Sequence, residues 1–418
     1  MRESRTRPWP VLVLCGVLLA PRAAIGQETV RRVSLAEALE AFAGNSLALR
    51  IARSEAAGLT GWARQSRAYF NPEFSLERDD LSHNDEKAWE ETFKVIQQVE
   101  WPGRTTARAR SAANTIRAGA ARLRADSIEL AFEVREAYVR AWFAEEAESV
   151  VRRTASVIQS VAEDAEVRFE EGDISAYEAR RLRLARVEAE QELEEAMLRT
   201  RAARRHLAVL IEPGSEAKEI GPSAGLEGVP PMMSRAAAMT ALDGRPDVQA
   251  AASELDAARA GADVARTGWV PAPSLGVGYR HHDDGFGGAS IGLDVPLPLF
   301  DRGVGTREEA AANSAAAAYR LQLRREIARY DVLAAADGYA SNRARLEAAA
   351  QGLRDDGEAL LASATAAYGE HEMTLLELLD AAGAFQGAQL SALSLATEAW
   401  VSYYDLLRAT GSAPEDKR

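Results

Sequence analysis

From Leu123 to Phe169, apolar or small residues recur at alternating steps of four and three. They are Leu123, Leu130, Val134, Ala137, Ala141, Ala144, Val151, Ala155, Ile158, Ala162, Ala165 and Phe169, with only Ser127 and Glu148 out of register. A sustained 3.5-residue period is that of a left-handed coiled coil, and alanine at so many seam positions lets neighbouring helices approach closely. Arg104 to Glu171 contains no proline, and at about 1.5 Å per residue a helix of that length reaches ~100 Å. Such a rod has no place in a compact domain. Gly303 to Ala413 is a second Pro-free stretch of the same kind.

A two-residue period occupies four short segments. Phe74 and Leu76 alternate with Ser75 and Glu77, and Phe93, Val95 and Val99 with Lys94 and Gln98. Leu275, Val277 and Tyr279 alternate with Gly276, Gly278 and Arg280, and Ile291, Leu293 and Val295 with Ser290, Gly292 and Asp294. This alternation predicts strands over about 73–80, 91–99, 274–280 and 289–297, each with one apolar and one polar face. They are the only β-like segments that the pattern predicts. The loops expected between them, Asp79 to Glu91 and His281 to Gly288, are polar. Tyr69, Phe70, Trp101, Trp269 and Phe300 flank the pairs as an interfacial aromatic belt would, although a soluble hairpin shows the same alternation.

These elements come twice. Ser34–Leu39 is answered by Ser234–Met239, Gly44-Asn45-Ser46 by Gly244-Arg245-Pro246, and Phe70–Phe74 by Val270–Ser274. Trp101–Arg104 is answered by Phe300–Gly303, Arg168–Gly172 by Ala367–His371, and Glu178 by Glu377. The predicted plan is therefore two repeats, 27–211 and 234–411. Each holds a first helix (Ser34 to Tyr69; Pro246 to Trp269), a strand pair and a long helical stretch. A Pro- and Gly-rich connector over 212–233 joins them, and 412–418 form a tail.

Composition narrows the function. Arg2, Arg5 and Arg7 precede an apolar run from Val11 to Ala20, and Ala24-Ile25-Gly26 supplies small residues for cleavage before Gln27. Residues 1–26 thus read as a signal peptide. Cys15, the single cysteine, follows Leu14 rather than a small residue, so the sequence favours cleavage over lipidation. No structural disulfide or thiolate metal site is open to such a chain. No later stretch is long and apolar enough for a transmembrane helix. With 63 acidic against 50 basic residues, net charge −13, a nucleic-acid partner is excluded. The five histidines are scattered and no Gly-rich phosphate loop follows a strand, so no enzyme, cofactor or metal site is predicted. His281-His282-Asp283-Asp284 has the composition of a metal cluster, but consecutive residues rarely converge on one ion, and a polar hairpin loop explains them.

Four strands cannot close a barrel, since single-chain examples begin at about eight, and open strand edges in lipid leave costly unpaired backbone groups. Strands that enter a membrane must therefore be shared between chains. Two copies give eight strands and three give twelve; three is preferred because the helices must close as well, and two repeats each make a trimer pseudo-sixfold.

On these features the chain resembles the TolC family of outer-membrane efflux ducts. The likeness rests on the doubled plan, the strand-to-helix turn Gln98-Val99-Glu100-Trp101-Pro102-Gly103-Arg104, and two helical-tip motifs. Those motifs are Arg168-Phe169-Glu170-Glu171-Gly172-Asp173-Ile174-Ser175 and the run from Tyr368 to Ala381, which contains Leu375-Leu376-Glu377-Leu378-Leu379-Asp380. The Leu-rich run and the Glu-Trp-Pro-Gly-Arg turn are most similar to the CzcC-like heavy-metal branch. The resemblance implies a mainly α protein with a small β part. It would be a homotrimer with a twelve-stranded barrel in outer-membrane lipid and an α-barrel of antiparallel coiled coils across the periplasm. It also implies docking on a periplasmic adaptor and, through that, on an inner-membrane resistance-nodulation-division pump. The duct would be passive. A type I protein-secretion duct shares every one of these features, and a soluble periplasmic coiled-coil scaffold is the reading left if the strands never meet lipid.

The resemblance also implies sites. Glu377 and Asp380, three apart on one helical face, would ring the periplasmic mouth, six carboxylates in a trimer, with pKa values raised by mutual repulsion. A solvated acidic helix face is the plainer reading. Glu178 keeps the first acid in the other repeat while Arg181 replaces the second, so Glu178–Arg181 or Glu377–Arg181 pairs could latch neighbouring helices. Gly172, Asp173 and Ile174 would form one adaptor-docking tip, and the segment Gly369 to Thr374, with His371 and Met373, the other. His371 stands where the family usually has glycine, which predicts a turn that is tighter to form or differently shaped.

Overall fold

The computed structural model describes residues 30–83, 86–214, 219–223, 226 and 228–412. The signal segment with Cys15 lies outside the described residues, as does the tail beyond Ser412. In the first repeat β1 (Arg31–Val33), α1 (Leu35–Asn45), α2 (Leu47–Ser66), β2 (Glu73–His83), β3 (Glu86–Gln98), α3 (Pro102–Glu171) and α4 (Ala176–Ile211) follow in order. After β4 (Ile220–Pro222) and α5 (Arg235–Thr240), the second repeat runs through α6 (Pro246–Arg266), β5 (Ser274–His282), β6 (Gly287–Asp294), α7 (Val304–Gly369) and α8 (Leu375–Thr410).

The long helices begin and end where local chemistry dictates. Pro102 fills the first position of α3, where its missing N–H costs nothing, and Gly172 ends the helix in the left-handed region. Its 70 residues span about 105 Å. The four-three seam is only part of what α3 buries. Thr154 and Val161 are buried beside Val151, Ala155, Ala162 and Ala165, while Phe169 is exposed. The reason is that α3 packs against α4 on one flank and α8 on the other, which widens a single stripe into an arc.

The helices form one curved layer. Towards the strands the order is α2–α3–α6–α7, and away from them α4–α3–α8–α7. α8 abuts α6 end to end, where the Arg245 guanidinium donates to the Ala409 carbonyl at 2.7 Å and pairs with Asp247 at 2.8 Å. The first helix is not continuous from Ser34 to Tyr69. It breaks at Ser46, whose backbone is extended (φ −55°, ψ 123°) and whose hydroxyl caps α2 through Leu49 N.

Two strands escaped the sequence pattern. β1 and β4 pair in parallel, Arg31 to Val33 against Ile220 to Pro222, so the connector is not wholly irregular. Three residues are too few to show a period. Glu145, held by Arg32 and Arg204, ties this small sheet to α3.

The main sheet has the order β2-β3-β5-β6, antiparallel throughout. One row across it is Phe74, Val95, Val277 and Ile291, and the next is Leu76, Phe93, Tyr279 and Ala289. The large side chains of these rows are exposed, an apolar face that none of the described residues covers. Strand pairing continues to His83–Glu86 and His281–Gly287, well into the segments expected as loops. Arg78, Asp79 and Asp80 are polar on both faces, so the alternation vanishes although the backbone ladder continues. Gly278 is required here, because a Cβ would collide with the Phe93 carbonyl of β3.

Candidate functional site: the paired helical tips

The end of the layer far from the sheet is built from two turns of the same design. In the first, Gly172 takes φ 82°, its N–H reaches Phe169 O at 3.1 Å, and Asp173 N reaches Arg168 O at 2.8 Å. In the second, His371 takes φ 65°, its N–H reaches Tyr368 O at 3.1 Å, and Glu372 N reaches Ala367 O at 2.8 Å. His371, the non-glycine residue that adopts positive φ, therefore does not change the turn's shape. It occupies the same left-handed position at a conformational cost, with its Nδ1 3.2 Å from the Gly369 carbonyl.

Three residues later each turn ends in a capping box. Ser175 caps α4 and accepts from Glu178 N, while Glu178 Oε2 accepts from Ser175 N and Oγ, both at 2.9 Å. Thr374 and Glu377 repeat the arrangement on α8, at 2.9 and 2.7 Å. The Ser-x-x-Glu and Thr-x-x-Glu spacing is a legible start signal, and it gives Ser175 and Thr374, which already lie within the two tip motifs, a capping role that the resemblance did not assign. Both glutamates are thereby held below the ordinary carboxylate range. The backbone and hydroxyl hydrogen bonds of the cap are the cause in each, with Arg168 adding its charge at Glu178. Within one chain this is the reverse of the raised values expected for an acidic ring.

The two turns pack into one unit. Val161, Ala165, Leu182, Ala364, Leu375 and Leu378 form its core, with Ile174, Tyr368 and Met373 packed against it. Ile174 and Met373 are thus half-buried anchors, while Gly172, Asp173, Gly369 and His371 are exposed. A cavity of about 130 Å3 between the turns is lined by Arg168, Ile174, Glu178, Tyr368, His371 and Met373.

One turn further along, Asp380 is exposed and has no ion-pair partner among the described residues. Arg181 forms neither expected latch within the chain. It pairs with Glu188 at 3.8 Å and lines a groove with Leu379, Gly383 and Gln386 of α8. Gln386 donates across that groove to Glu192 at 2.6 Å, joining α8 to α4 over the face of α3.

Among the described residues no three His, Cys, Asp or Glu side chains converge as a metal site. His281 and His282 point to opposite faces of β5, His281 edge-on to Trp89 (5.5 Å) and His282 3.8 Å from Glu90. No helix among the described residues is long and apolar enough to cross a membrane.

Residues 238–412 match the family described as outer membrane efflux protein. The cobalt-zinc-cadmium resistance protein CzcC of Cupriavidus metallidurans is 25% identical over 362 residues, 85% of this chain and 84% of that one. Among solved structures, CusC superposes with a TM-score of 0.75 at 18% identity, over 93% of this chain and 96% of the other. The Campylobacter jejuni CmeC outer-membrane channel superposes with 0.77 at 18% identity, over 96% and 94%. These matches fall on the two-repeat plan, the four-stranded sheet and the ~100 Å helices already described. By these matches the second repeat carries the outer membrane efflux protein signature, and the chain as a whole has the fold of the solved outer-membrane channels.

Proposed function

We propose that three copies of this chain form the exit duct of a tripartite pump that expels divalent heavy-metal cations. The observation that carries the trimer is that sheet and helical layer end on the same two edges. β2 follows α2 on one side, and β6 leads into α7 on the other. Leu47, Ile51 and Trp62 stand exposed on α2, and Tyr319, Leu323 and Tyr330 on α7. Joining the α7/β6 edge of each copy to the α2/β2 edge of the next closes both layers at once. The unpaired backbone groups of β2 and β6 then find partners, which lipid demands.

The acidic chain and the CzcC relative, named for cobalt, zinc and cadmium, support metal cations as cargo. The tips Gly172–Ile174 and Gly369–Met373 dock on a periplasmic adaptor, and energy enters through the inner-membrane pump behind it. Glu377 and Asp380 ring the mouth and concentrate cations there by their field. The residues at the proposed mouth supply charge and shape and carry no chemical step.

Detergent-extracted protein should run as a trimer, and a water-soluble monomer of the chain would refute the duct. In planar bilayers Glu377→Gln with Asp380→Asn should weaken cation selectivity and abolish block by divalent cations from the helical side. Thr374→Ala, which loosens the same cap but keeps both charges, should leave selectivity intact. Equal selectivity in the double variant and the wild type would reduce the two acids to a solvated helix face.

A further inference from the structure

Several arginines along the coiled coils are neutralised within their own helix, while others, Arg124, Arg180 and Arg325 among them, make no ion pair among the described residues. Arg140 pairs with Glu136, Arg186 with Glu190, Arg199 with Glu195 and Arg343 with Glu347. Where the helices meet the sheet, there are four more. Arg64 and Arg67 at the end of α2, and Arg302 and Arg307 at the start of α7, make no ion pair or side-chain hydrogen bond among the described residues. Nearby carboxylates leave them alone: Asp301 accepts instead from Gly303 N at 2.8 Å, and Glu308 and Glu309 pair with neither Arg302 nor Arg307. Arg104 and Arg108, on the interior helix between, are already taken by Glu100.

The four unpaired cations sit on the two open edges of the protomer, one pair on each. Beside the first pair, Tyr69 and Phe70 are exposed. Beside the second stand Leu297 and Leu299, with Phe300 fully exposed at 100%. We infer that Arg64 and Arg67 of one copy and Arg302 and Arg307 of the next build, at each seam of the trimer, a site for the phosphate of an anionic phospholipid in the periplasmic leaflet. This rests on the trimeric reading above.

Closing the edges brings like charges together at the level of an aromatic belt, where water thins and repulsion strengthens. A phosphodiester supplies the missing counter-charge in a form that guanidinium groups bind bidentately. The lipid's acyl chains then lie along the apolar rows Phe74–Ile291 and Leu76–Tyr279, with the headgroup at the aromatic rim. The lipid would thus join two protomers.

The test is native mass spectrometry of the detergent-extracted full chain, supplied with equal amounts of phosphatidylglycerol and phosphatidylcholine. The wild-type trimer should retain phosphatidylglycerol at least about fivefold over phosphatidylcholine, saturating near three per trimer. Arg64→Gln/Arg67→Gln and Arg302→Gln/Arg307→Gln should each lose most of that preference, whereas Arg199→Gln, far down α4, should keep it. A wild-type trimer with no preference overturns the site whatever the variants do, as does unaltered preference in both double variants. Displacement of the lipid by millimolar inorganic phosphate would show a free-anion site and overturn the lipid assignment. A wild-type monomer would overturn the trimer and the seam together.

Discussion

The two helical tips are one turn built twice with different residues. Gly172 and His371 occupy the same left-handed position, Ser175 and Thr374 the same cap, and Glu178 and Glu377 the same reciprocal hydrogen bonds. The core beneath them is complementary rather than identical. Ala179 in the first repeat corresponds to Leu378 in the second, and Leu182 corresponds to Ala381, so large and small residues exchange places between the repeats, with Leu182, Leu378 and Ala381 in the shared cluster. The tips therefore cannot be exchanged although their backbones match. One positive-φ residue, two backbone hydrogen bonds and a cap fix the shape of each turn, and the packing beneath distinguishes the repeats.

The largest test breaks the shared core. Leu378→Ala or Leu182→Ala should each cost about 2–5 kcal/mol locally. Hydrogen exchange should then quicken in both turns, because each side chain lies between them. Quickening confined to the mutated repeat would mean that the tips are independent.

The left-handed positions sharpen the contrast. Gly172→Ala should destabilise the first turn by about 1–2 kcal/mol, and His371→Gly should relieve a similar strain in the second. Opposite shifts in amide protection at residues 168–175 and 367–374 would show this, and shifts of the same sign would contradict it.

The caps come next. Ser175→Ala and Thr374→Ala should each cost about 1 kcal/mol, read as fraying of the first turn of α4 or α8.

The smallest effect is acid sensitivity. Glu178 and Glu377 have folded-state pKa values below their unfolded value near 4.5. Their contribution is therefore complete above that value and declines as pH falls through the folded pKa. Arg168 lends its charge only to Glu178, so the second tip should fray first on acidification. Simultaneous fraying would mean that Arg168 is screened.

Sequence and structure agree best where a pattern has room to repeat. The four-three seam of α3 and the alternation at Phe74–Leu76 and Ile291–Leu293 each reveal an element, and the doubling of motifs reveals the plan. β1 and β4 were hidden by their length, and the strand ends beyond about residue 80 and before about residue 91 by a stretch in which the alternation lapses. The break at Ser46 was hidden because the apolar pattern runs through it. At the tips the sequence named Glu377 but assigned it to a lumen ring or a latch with Arg181. Its bond to the helix end was written in the Thr-x-x-Glu spacing all along. Arg181 was read as a latch because it replaces an acid, yet intrachain geometry gives it Glu188.

The ladder between β3 and β5 joins the two repeats within the sheet, pairing Val95 with Val277, residues separated by nearly half the chain. Contacts of such long sequence separation form late, because loop closure must precede them. The first hairpin can fold while the second repeat is still being synthesised, but the four-stranded sheet cannot. The four-stranded sheet thus matures only after both repeats have been delivered. In pulse-labelling during refolding, the β2–β3 amides should gain protection before those of the β3–β5 ladder. The order in which hydrogen bonds become available acts as a timer: the inner ladder waits for the second repeat, and the outer edges of β2 and β6 are still open when it has formed.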